Sequence, residues 1–154
     1  MKRLKKIMNE NNSNKCKGLK IYTDGAARGN PGPAASAFIF VYKNKILHEG
    51  SDFIGKSTNN IAEYKAIINA LKLAQKYSNG EIEVYSDSNL AIQQINKKWK
   101  INYSHLGKLC EDVHKLVGKY ENVEFIHIKR DDKFIAICDW LCNECLLNRE
   151  KYKS

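Results

Sequence analysis

Proline is nearly missing from this 154-residue chain, and its two copies, Pro31 and Pro33, share one short stretch with Gly29 and Gly32. That stretch, residues 28–33, reads as a tight connection. No run approaches the roughly 20 apolar residues of a bilayer span, which excludes a transmembrane helix from the reading. The basic N-terminus has no apolar segment or cleavage site behind it, so it does not read as a secretory leader. The five cysteines, Cys16, Cys110, Cys138, Cys142 and Cys145, are odd in number and follow no disulfide framework. A reducing compartment fits them, and a cytoplasmic protein is expected. No internal repeat is present. A chain of this length is expected to fold as one domain whose core needs no covalent staple.

Positive charge is what the chain has in excess: 26 basic residues stand against 17 acidic ones, a net +9. Residues 1–20 carry seven basic side chains and one acid, Glu10, and so hold +6; the other 134 residues hold only +3. Residues 1–17 are rich in Lys and Asn with little apolar beyond Leu4, Ile7 and Met8, and are expected to form a flexible basic arm. The folded domain is then expected over 18–150. A basic arm on a mildly basic body suits a polyanionic partner, nucleic acid first, although a solubilising tail has the same composition.

Apolar and polar residues alternate at 19–23, 34–42 and 46–53, which predicts three strands in an antiparallel meander. Thr58 or Asn59 can cap a helix over 61–77, with Ala66, Ile67, Ala70, Leu71 and Ala74 on its buried face, stopped by Asn79-Gly80. A strand at 81–85, helices at 88–99 and 104–119, a strand at 123–128 and a helix at 134–148 complete the series. That order predicts an α/β fold: one five-stranded mixed sheet, the meander plus parallel strands, with helices on both faces.

Four acids stand out within this frame. Asp24 lies in TDGAARGNPGPA (23–34), Glu63 in STNNIAEYKA (57–66), Asp87 in VYSDSN (84–89) and Asp139 in ICDWLCNECL (137–146). Asp24 is expected at the end of the first strand and Asp87 just past the fourth, where open α/β sheets place their sites. Three have a plain structural alternative, while Asp139 is set among the apolar positions Ile135, Ile137, Cys138, Leu141 and Cys142. Asp24-Gly25 suits a turn, Asp87 between serines suits a helix cap, and Glu63 suits a capping box. Taken together, acids beside apolar runs are costly to desolvate and repel one another where they converge. A hard cation bound through oxygen, Mg²⁺ or Mn²⁺, removes both costs.

TDGAARGNPGPA, TNNIAEY and YSDS, in that order and spacing, resemble the type 1 ribonuclease H family, and DWLCNECL resembles its final helix. The resemblance covers residues 20–147 and is nearest to the compact form that lacks a long basic handle. It implies a ribonuclease H-like fold and hydrolysis of the RNA strand of RNA/DNA hybrids to 3′-hydroxyl and 5′-phosphate ends, with the hybrid as partner and a monomer as the expected state. It also implies that Asp24, Glu63, Asp87 and Asp139 are catalytic and hold two Mg²⁺ ions, with Mn²⁺ as a possible substitute. Such a pair, about 4 Å apart, clamps the scissile phosphate, with Asp24 shared, Glu63 and Asp87 on the leaving-group side and Asp139 on the water side. By the same resemblance Asn30, Asn59 and Asn60 match residues that grip ribose 2′-hydroxyls, the group that distinguishes RNA from DNA. Lys56 and Thr58 match a pocket for a phosphate of the DNA strand.

The approach to Asp139, HIKRDDKFIAICD (127–139), departs from the family pattern. Ile135 stands where an Asn is common, and the loop is about two residues longer than in compact relatives. Arg130 is assigned the loop role usually held by a His or Arg, while His127 is expected in the strand. Lys97, Lys98, Trp99 and Lys100 form a basic stretch around an aromatic, suited to backbone contact and stacking; docking of Trp99 into the core is the competing reading. His48, His105 and His114 have no metal-ligand spacing and are expected at the surface. Cys138-x3-Cys142-x2-Cys145 has the spacing of an iron–sulfur motif, but on a helix it marks one apolar face. Two other functions stay open: a hybrid-binding protein without catalysis, and another nuclease on the same fold. A proofreading exonuclease would need an acid where Ala26 stands.

Overall fold

The fold, taken from a computed structural model, is described for residues 15–151. Strands β1 (Leu19–Ala27), β2 (Gly32–Tyr42) and β3 (Lys45–Ser57) form the expected meander. Helix α1 (Asn59–Leu73) ends in one 3₁₀ turn, Ala74–Lys76, before β4 (Glu81–Ser86). Then come α2 (Asn89–Ile95), α3 (Ser104–Val117), β5 (Asn122–His127) and α4 (Lys133–Lys151). The five strands lie in the order β3-β2-β1-β4-β5, with β1, β4 and β5 parallel to one another.

The alternation of β1 feeds two cores, because successive side chains leave a strand on opposite faces. Leu19 and Ile21 join Phe40, Ile67, Leu71 and Val113 beneath α1 and α3. Tyr22 joins Ile39, Val41, Cys138, Cys142 and Leu146 beneath α4. Ile67 and Leu71 are almost fully buried on the predicted face of α1, each stabilising the fold by about 1.5–3 kcal/mol. Thr58 is the helix cap: its hydroxyl accepts from the Ile61 N–H at 3.3 Å.

Several expectations need correction. Asp24-Gly25 is not a turn. β1 continues through Ala27, with Asp24 opposite Ala37 and Gly25 opposite Ser36. The glycine serves close approach instead, since a Cβ on Gly25 would stand 2.4 Å from both the Ala62 carbonyl carbon and the Glu63 nitrogen. The helix expected to reach Trp99 ends at Ile95, because Lys97 takes φ 63° and turns the chain away. His48 is half-buried against Phe38, Phe40 and Tyr77, and His114 pairs with the Ile95 carbonyl at 2.9 Å, so of the three only His105 is exposed. Most of the expected arm lies outside the described residues. Its end does not behave as an arm: Cys16 is buried and its N–H donates to the Tyr77 carbonyl.

Candidate metal centre and nucleic-acid interface

Asp24 comes from β1, Glu63 from the second turn of α1 and Asp87 from the connection that leaves β4. The missing side chain at Gly25 lets α1 settle on β1, and one carboxylate oxygen from each of the three acids then lies within 4.8 Å of the others. Asp24 is 3% exposed and Glu63 8%. Gly25 N–H donates to Asp24 Oδ1 at 3.0 Å, but Glu63 Oε2 is buried with no hydrogen-bond partner among the described residues.

Such an arrangement resists ionisation. Burial first, then the charge of Asp87, pushes Asp24 up to about 7, even though a hydrogen bond with Glu63 works the other way. Burial and the charges of Asp24 and Asp87 hold Glu63 well above the carboxylate range. Burial also raises Asp87, opposed by Arg130, whose Nε lies 3.8 Å from Asp87 Oδ2. An oxygen-only donor set with one buried oxygen left unpaired suits a hard divalent cation, which would discharge the repulsion and satisfy Glu63.

Asp139, on α4, stands beside this trio rather than within it. Its charge adds to the repulsion at Asp24 and Asp87, and its Oδ2 accepts from Asn143 Nδ2 at 3.4 Å. Arg130, the residue assigned the loop role, lies beside Asp87 at the edge of the trio.

A second group of expected residues gathers at the start of α1. Asn30 Oδ1 accepts from the Asn59 N–H at 3.0 Å, and Asn59 Oδ1 accepts from the Ala27 N–H at 2.8 Å, which ties the β1–β2 connection to the helix. Asn30, Thr58 and Asn60 line a hollow of about 380 Å³ together with Tyr103 and His105. Lys56 lines an adjoining one with Lys65, His105 and Lys108. Tyr103, Lys65 and Lys108 were not singled out by the sequence: Lys65 stands on α1 itself, and only the docking of α3 on α1 places Tyr103 and Lys108 here. Trp99 and Lys100 do not join the group. Trp99 is 46% exposed and borders a separate hollow with Ile101 and Cys110.

Sheet, helices and clustered acids define an α/β protein in which three acids, from β1, α1 and the exit of β4, come close enough together that they could hold a cation. A family model described as reverse transcriptase-like matches residues 22–145. The chain is 38% identical to the ribonuclease HI of Halobacterium salinarum over 129 residues, which cover 83% of this chain and 64% of that protein. It is 34% identical to the ribonuclease H of Caldanaerobacter subterraneus, covering 82% of this chain and 89% of the relative. Among solved structures, LC11 ribonuclease H1 in complex with an RNA/DNA hybrid matches at TM-score 0.79 and 36% identity, over 85% of this chain and 98% of that one. The chain belongs to the type 1 ribonuclease H family. It spans slightly less than two thirds of the Halobacterium protein's length.

Proposed function

We propose that this chain is an endoribonuclease that hydrolyses the RNA strand of RNA/DNA hybrids, leaving 3′-hydroxyl and 5′-phosphate ends. The observation that carries the reading is the convergence of Asp24, Glu63 and Asp87, with a buried Glu63 oxygen that nothing among the described residues satisfies. Asp24, Glu63 and Asp87, joined by Asp139, would hold Mg²⁺, two ions on the family's pattern, with Mn²⁺ as a possible substitute. Bound cation would supply charge neutralisation at the phosphate and a more acidic water.

The side chains themselves do the positioning. Gly25 N–H fixes Asp24, and burial of Glu63 keeps bulk water from the inner side of the site. Arg130 steadies Asp87 and offers a guanidinium for phosphate at the rim. The carbonyl oxygens of Asn30 and Asn59 are engaged by backbone N–H groups, so their NH₂ groups face the task of donating to ribose 2′-hydroxyls. Asn60 adds a further polar group there, and Thr58 with Lys56 suits a phosphate of the DNA strand. A cytoplasmic monomer, with 18–150 as its catalytic domain, belongs to the same reading. Among the described residues no helix is long and apolar enough to cross a membrane.

The test offers labelled RNA/DNA hybrid, double-stranded RNA, double-stranded DNA and a duplex with one ribonucleotide, each with Mg²⁺ or Mn²⁺. Cleavage of the RNA strand of the hybrid, with double-stranded RNA and double-stranded DNA left intact, and loss of that cleavage in EDTA and in Asp87→Asn, is the expected result. Binding of the hybrid without cleavage would replace the enzyme by a hybrid-binding protein.

A further inference from the structure

A hollow of about 430 Å³ opens between the start of β1, the β2–β3 turn and the beginning of α4, lined by Lys20, Tyr22, Lys43, Asn44, Lys133 and Phe134, among others. Three lysines therefore line one depression. Each has an uncharged neighbour among the described residues. Lys133 Nζ donates to Asn44 Oδ1 at 3.1 Å and lies 4.9 Å from the Phe134 ring centre. Lys43 Nζ lies 5.3 Å from the Tyr42 ring centre, and Lys20 Nζ lies 6.0 Å from that of Tyr85. Among the described residues the lining holds one carboxylate, Asp132, which is occupied in capping α4, accepting from the Phe134 and Ile135 N–H groups at 2.9 and 3.1 Å. Nearby Glu83 accepts from the Tyr85 hydroxyl.

The hollow is aligned with the acids. Tyr22 and Asp24 are two residues apart on one face of β1, about 7 Å along the strand. Phe134 and Asp139 are five residues apart on α4, about 7.5 Å along the helix. The Tyr22 and Phe134 rings meet at 4.8 Å, so strand and helix run in step from the hollow to the acid cluster. The separation is on the order of 10 Å, roughly three nucleotide steps at the ~3.4 Å axial spacing of a strand.

We propose that this hollow is a second phosphate subsite, gripping the backbone of the catalytically bound nucleic-acid strand about two to three nucleotides from the acids. The proposal rests on the hybrid-cleaving reading for its ligand. Tyr22 and Phe134 are buried, so they form a wall rather than a stacking platform. The subsite therefore reads charge and spacing, not base identity.

The test compares full-length protein, the triple variant Lys20→Gln/Lys43→Gln/Lys133→Gln, and a control, Lys72→Gln/Lys76→Gln/Lys119→Gln, which removes the same charge from other exposed positions. Affinity for a hybrid long enough to cover both places is measured in EDTA across a salt series. The first variant is expected to bind about ten-fold more weakly than the control, with a salt slope shallower by about one to two. Lys133→Gln alone should lower the slope by about one. Equal affinities and slopes in the two triple variants would overturn the subsite. So would a nucleoside triphosphate that binds the wild type but not the triple variant while hybrid affinity stays at the control value, because the hollow would then serve free nucleotides. Wild-type protein that grips hybrids yet cuts none would refute the proposed activity and leave the subsite standing.

Discussion

Gly25 and Glu63 meet across a missing side chain: a Cβ on the glycine would stand 2.4 Å from the backbone nitrogen of the glutamate. That approach sets the distance between β1 and α1, and with it the distance between Asp24 and Glu63. Gly25→Ala should therefore separate the two acids proposed to hold metal without altering either. The expected cost in stability is about 1–3 kcal/mol, typical of overpacking. A larger effect is expected on Mg²⁺ binding, read by calorimetric titration. Unchanged Mg²⁺ affinity would mean that the helix can yield without disturbing the site.

Metal-free protein should lose stability as the solution becomes alkaline. Asp24 sits near 7 in the fold against an ordinary 3.8, and Glu63 is raised in the same direction. The native state thus holds protons that the unfolded chain has released. Asp24's contribution is fully present below about pH 4 and is lost as pH rises through 7. Melting in EDTA should occur at a higher temperature at pH 5.5 than at pH 8. Mg²⁺ should stabilise more at pH 8, where it no longer competes with protons. Asp24→Asn should raise the metal-free melting temperature at pH 8 and remove most of the Mg²⁺ response.

Asn59→Ala should loosen the β1–β2 connection from α1, because the Asn59 carboxamide accepts the Ala27 N–H. The loss of one such bond is worth about 0.5–1.5 kcal/mol of stability. Discrimination should suffer more, with the preference for hybrid over double-stranded DNA falling by about ten-fold in competition binding. An equal loss of affinity for both duplexes would assign Asn59 to scaffolding alone.

Tyr64→Phe tests a polar contact inside the core. The buried Tyr64 hydroxyl donates to Gln94 Oε1 at 2.7 Å and joins α1 to α2. Removing it strands an acceptor that water does not reach, a cost of about 1–3 kcal/mol by chemical denaturation. Tyr64→Phe/Gln94→Met should recover part of that loss.

The strands and helices were legible where side chains alternate or recur: Leu19–Ile21–Thr23 announces β1, and Ile67–Leu71–Ala74 announces the buried face of α1. The extension of β1 through Gly25-Ala26-Ala27 was not, because three small residues carry no pattern and their partners lie in β2. The end of α2 was hidden in the same way, since Asn96, Lys97 and Lys98 do not signal the positive φ at Lys97. Asp24, Glu63 and Asp87 could be chosen from their motifs, yet their 4.8 Å convergence depends on how closely α1 approaches β1. Tyr103 reaches the hollow of Asn30 and Asn60 only through packing of α3 on α1, a contact between segments far apart in the chain.

Beneath β1, the Cys138 thiol donates to the Tyr22 carbonyl and the Cys142 thiol to those of Asp24 and Ala35. Both side chains are sealed from solvent, and burial raises both thiols, so alkylating reagents find neither thiolate nor access. The pair is thus a natural clock for the lifting of α4 from the sheet. Its labelling rate at rising denaturant would time how often the floor of the site comes apart, with no dye or tag added to the chain.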